Sequence, residues 1–85
     1  MTNFENHLKL DQPAIYHIRV VGRLEEDWSD YLGGLTIEVH TDGEQPAITC
    51  LTGSIADQAG LHGLLRRIRD LGLPLLMVEC LHSAD

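Results

Sequence analysis

Apolar residues recur along the second half of the chain with two different periods. Leu61, Leu64, Leu65, Ile68 and Leu71 stand at i, i+3, i+4, i+7 and i+10, one stripe of a 3.6-residue helix. Arg66, Arg67, Arg69 and Asp70 fall beside or opposite that stripe. Ser54 with Asp57 three residues on, or Asp57 alone, supplies an N-terminal cap. Gly72 offers a left-handed residue just past the last turn, and Pro74 forbids continuation. Leu75-Leu76-Met77-Val78 follows as a short apolar run bounded by that stop, which predicts a strand. Each aliphatic side chain buried on such a helix contributes roughly 1.5–3 kcal/mol before chain entropy opposes it. The helix is therefore expected to be the main donor to the core.

The first half alternates instead. Ile15–Gly22 is β-branched and predicts strand 1, with Tyr16, Ile18 and Val20 on one face. Leu24–Leu32 places Glu25, Glu26 and Asp27 where a first helical turn favours acids. It predicts a short helix, with Trp28 anchoring it in the core and Gly33-Gly34 ending it. Leu35–Thr41 alternates strictly and predicts strand 2, with Leu35, Ile37 and Val39 inward. Asp42-Gly43 signals a turn, and Ala47–Thr52 closes a hairpin as strand 3. The order β-α-β-β-α-β is the ferredoxin-like arrangement. It predicts an α+β sandwich, with a four-stranded antiparallel sheet in order 4-1-3-2 and two helices on one face. Residues 1–12 read as a loose N-terminal arm, and 13–83 as a single ferredoxin-like domain.

Two helices on one face leave the other face open. The strand phases put Ile15, Val21, Ile48, Cys50, Leu75, Met77 and Leu81 there, interleaved with His17, Arg19, Glu38 and His40. A solvated face is mostly polar, so these seven apolar positions predict a contact surface. A two-fold homodimer is its commonest form. His17 and His40 on the open face, and Gln58 and His62 on one face of the long helix, are the candidate pocket residues.

Composition narrows the function. The 85 residues hold six Lys+Arg against thirteen Asp+Glu, a net charge of −7. Such an acidic chain is a poor partner for nucleic acid, where phosphate neutralisation supplies much of the affinity, and for anionic membranes. No apolar run approaches the about 18 residues of a membrane span, and the N-terminus lacks the charged-then-apolar order of a signal peptide. The two cysteines are too few for a secreted disulfide framework, so the cytoplasm is expected. Cys50 and Cys80 lie on strands separated by strand 1, too far apart for a disulfide. A nucleophilic role for Cys50 would need a flanking group such as His17. The five histidines include no H-x₃-H pair, and no C-x₂-C pair accompanies them. No catalytic set, metal site or cofactor motif is therefore assigned.

Asp57-Gln58-Ala59-Gly60-Leu61-His62-Gly63-Leu64-Leu65, with Arg67–Leu76 and the pieces Trp28-Ser29-Asp30 and Leu51-Thr52-Gly53, resembles short stand-alone bacterial proteins of uncharacterised function over about residues 15–78. The resemblance implies one small bacterial cytoplasmic domain and carries no activity over. The helix, Leu-Gly-Leu-Pro and strand are more loosely similar to amino-acid-sensing (ACT-type) regulatory domains and to small ferredoxin-like monooxygenases. The expectation is a small homodimeric binding, interaction or regulatory module that uses its sheet face and an inter-subunit pocket. The alternatives are a small monooxygenase-like enzyme with a pocket on the sheet, using His17, His40 or Trp28, and a metal-binding or sensing domain.

Overall fold

β-Branched alternation makes β1 (Ala14–Val21) the strand on which the sheet is built. The structure is a computed structural model describing residues 13–83. The expected arm at 1–12 lies outside the described residues. β2 (Thr36–His40), β3 (Ile48–Ile55) and β4 (Leu75–Ser83) complete a four-stranded sheet in the order β2-β3-β1-β4. All three pairings are antiparallel. β1 and β3 pair from Ala14↔Ile55 to Val21↔Ile48 without a register shift. β3 runs past its expected end because Gly53, Ser54 and Ile55 still pair with Tyr16, Ile15 and Ala14.

One helix, α1 (Gln58–Asp70), lies against the sheet. Of the two possible caps, the chain uses Asp57, whose Oδ1 accepts from the Gly60 N–H at 2.7 Å. A side chain at Gly60 would stand 3.1 Å from that oxygen and 3.3 Å from Ile55, so this helix glycine leaves room for the cap. At the other end Gly72 takes φ +79°. Its N–H donates to Arg69 O, and the Leu73 N–H to Ile68 O, a Schellman closure. Leu61, Leu64 and Ile68 are buried, whereas Leu65 and Leu71 are half-buried.

The first helix is not formed. Leu24–Leu32 contains only a 3₁₀ turn at Glu26–Trp28, with no side-chain cap at Glu25. Two helical turns are marginal in isolation, and Asp27, Trp28, Ser29, Asp30 and Tyr31 are middling or poor helix formers. Ser29 instead donates its hydroxyl proton to Leu35 O at 2.8 Å, closing the loop on itself. The ferredoxin-like expectation of two helices is therefore corrected to α+β with one helix and one turn. Trp28 is also corrected: it is 40% exposed. Leu24, Leu32 and Leu35 fill the core in its place, together with Tyr16, Ile18, Val20, Leu51 and the helix residues.

β4 departs from its expected phase. Val20 pairs with Leu75 but Arg19 with Met77, so Leu76 is an extra bulge residue. Leu75 is thereby opposite a core residue and lines a hollow with Leu65, Ile68 and Leu73. Its expected place on the open face is corrected, and Leu76 stands there instead, beside Val21 and Ile48. Leu81 falls in a second bulge, between Cys80↔Tyr16 and His82↔Ile15.

Ile68 is 1% exposed, so Ile68→Ala is expected to cost about 2–5 kcal/mol. Leu65→Ala is expected to cost clearly less. Denaturant unfolding of the two variants checks the order.

Candidate functional site

Register fixes what the open face presents. One row across the sheet runs Thr36, Thr52, His17, Glu79; the next runs Glu38, Cys50, Arg19, Met77; a third holds His40, Ile48 and Val21. In the first row His17 Nδ1 lies 2.8 Å from Thr52 Oγ1, which orients the imidazole. At the far end Arg19, Val21, His40, Ile48 and Leu76 line a hollow of about 400 Å³. His40 Nε2 lies 3.4 Å from Glu38 Oε1. Among the described residues Arg19 has no ion-pair partner. Thr41, Asp42, Gln45 and Pro46 complete the lining of the hollow, which has aliphatic walls with both a guanidinium and a carboxylate at its rim.

The expected contact residues Ile15, Val21, Ile48, Cys50 and Met77 share this face by register. They are not equally available. Ile15 is 36% exposed, whereas Cys50 is 6% exposed and packs beneath its neighbours. Leu75 and Leu81 lie on β4 at about half exposure.

The four expected pocket residues do not converge. His17 and Val21 are four residues apart on β1, so the rows of His17 and His40 are separated by roughly 13 Å along the strands. Gln58 lies on the opposite side of the sheet, where its Nε2 donates to the Tyr16 hydroxyl at 2.7 Å. It satisfies a phenol that is 4% exposed. His62 is exposed on α1. Cys50 stands opposite Arg19, and His17 opposite Thr52. The two thiols are free, with Cys50 buried and Cys80 half-buried against the core. His7 lies outside the described residues. Among the described residues no three His, Cys, Asp or Glu groups cluster as a metal site, and no helix is long and apolar enough to cross a membrane.

Two features escaped the sequence pattern. Thr49 is fully buried on the core face, donating to Gly22 O at 2.6 Å and accepting from Leu24 N at 3.1 Å. It pins the start of the loop that takes the place of the first helix. Its inward strand phase was the one available signal. The second is an exposed aromatic group. Trp28 and Tyr31 meet edge-on at 5.7 Å. The Arg67 guanidinium sits 5.5 Å from the Tyr31 ring centroid and donates to Tyr31 O at 3.3 Å.

Residues 15–79 match the family described as Domain of unknown function (DUF8691). The chain belongs to that family. No curated protein and no solved structure matches it. The DUF8691 match spans β1 to the middle of β4 and includes both the open face and α1.

Thr49→Val keeps the shape but orphans the buried Leu24 N–H and the part-buried Gly22 C=O. It is expected to cost about 1–3 kcal/mol by denaturant midpoint, with Thr49→Ser largely restoring stability. A thiol reagent is expected to label Cys80 first. Cys50 should react only as β3 opens, and mass mapping of the first adduct reads the order.

Proposed function

We propose that this DUF8691 chain is a small self-associating binding module, a homodimer that works by recognition rather than by catalysis. One observation carries this reading: among the described residues nothing covers β4, neither α1 on the side of Leu75 and Val78 nor any element on the open face, where Leu76 stands. Leu75, Leu76 and Leu81 are 48%, 54% and 51% exposed, and Val78 is 36% exposed. Aliphatic exposure gathered on one strand is the usual mark of a contact surface, and a chain this short gains stability from a partner. A second copy is the commonest partner of such a patch.

The sheet order suits a ferredoxin-like domain whose first crossover has shrunk from a helix to a turn. In a regulatory or binding module the open face, with Arg19, His40 and the hollow between them, is the surface offered to a ligand. The net charge of −7 argues against nucleic acid and anionic membranes as that ligand. Two free thiols fit a reducing compartment such as the bacterial cytoplasm.

Light scattering over a concentration series tests the proposal. Twice the chain mass is expected, falling towards the single-chain mass only on dilution. A single-chain mass at every concentration overturns it.

A further inference from the structure

The two edges of the sheet are built differently. β2 is five residues long and carries Glu38 and His40, in keeping with the short, charged edges that resist pairing. β4 is nine residues long, with no Lys, Arg or Pro and a single acid, Glu79, and its bulges at Leu76 and Leu81 leave Met77–Cys80 as the regular stretch of that edge. Among the described residues no strand pairs with its outer edge, which runs between exposed aliphatic side chains.

Resting on the self-association stated above, we propose that β4 pairs antiparallel with β4 of a second copy, joining two sheets into one of eight strands. The strand is self-complementary in one register. With Val78 opposite the partner's Val78, the regular stretch Met77–Glu79 pairs with itself, and Leu75, beyond one bulge, comes level with the partner's Leu81, beyond the other. Those are the half-exposed leucines at the two ends of the strand. The same register sets Glu79 against the partner's Met77, so the two carboxylates are not directly opposed.

Position relative to the helix agrees. Val78 pairs with the core residue Ile18, and Leu75 with Val20, so both lie on the helix side of the sheet yet remain exposed. The hollow of about 510 Å³ lined by Leu65, Ile68, Leu73 and Leu75 opens beside them. The end of the partner's strand closes it. A strip of roughly 30 Å by 20 Å, one strand length by the thickness of a sheet with its helix, reaches the lower size of stable interfaces, about 600 Å² per copy. Both open faces then lie on one side of the joined sheet, with Arg19 and His40 of each copy free for a ligand.

Four proteins test this by light scattering and circular dichroism: wild type, Leu75→Lys/Leu81→Lys, Ile15→Lys and Val78→Cys. Every substituted side chain is at least a third exposed in the single chain, so the fold should persist. The wild type is expected at twice the chain mass. Leu75→Lys/Leu81→Lys should show a two-fold loss of mass with an unchanged spectrum. Ile15→Lys, on the open face, should stay dimeric. Val78→Cys should form an interchain disulfide under mild oxidation, because directly opposed Cα atoms stand roughly 4.5–5.5 Å apart. The wild type should not, since Cys80 falls opposite the partner's Leu76. A dimeric Leu75→Lys/Leu81→Lys variant, a monomeric Ile15→Lys, or a dimeric Val78→Cys that does not cross-link overturns the edge pairing in this register while leaving self-association standing. A wild type that is monomeric up to about 1 mM, the weak end of the affinity scale, overturns both.

Discussion

One helix has to cover four strands, and it cannot. A helix with its side chains is about 10–12 Å across, whereas four strands at their usual spacing span about 19 Å. The apolar stripe of α1 closes over the centre of the sheet, where Ile18, Leu51 and Ile68 are almost wholly excluded from solvent. What remains on either side needs another solution, and the two sides receive different ones.

On the β2 side the chain itself supplies the cover. The loop after β1 folds back, with Leu24, Leu32 and Leu35 pointing into the core. It is held by the buried Thr49 hydroxyl, by the Ser29 hydroxyl on Leu35 O and by Arg67 reaching across from α1 to Tyr31 O. A loop fastened by side chains does the work of a helix there. Its aromatic residues face outward as a consequence, since aliphatic residues already fill the interior. On the β4 side nothing in the described chain plays that part, and the strand keeps its leucines in water. An edge of this kind can template pairing with a further strand.

Much of this was legible in the chain. The alternation in β1 and β2, the stripe in α1 and the Gly72-Leu73-Pro74 stop led to the right elements and to the right strand order, because each signal is local and each is reinforced by burial. The candidate site was less legible. His17 and His40 were placed on the right face, but their separation depends on register, which no single strand records. Gln58 looked like a pocket residue because its partner, the Tyr16 hydroxyl, lies 42 residues away in sequence. The acids at Glu25–Asp27 suit a helix start, yet the residues after them propagate a helix poorly, and the loop had a better set of tertiary bonds available.

By itself, then, the sequence determined what local periodicity can determine: which stretches are extended, where the long helix begins and ends, and which face of each regular strand is apolar. Only the tertiary structure decided the rest. The bulge at Leu76 moved Leu75 from one face to the other, because a single inserted residue inverts a period of two. The loss of the first helix followed from competition between a weak local preference and distant partners at Thr49, Leu35 and Arg67. The exposure of β4 followed from the width of one helix set against the width of four strands, a relation that no stretch of the chain contains alone.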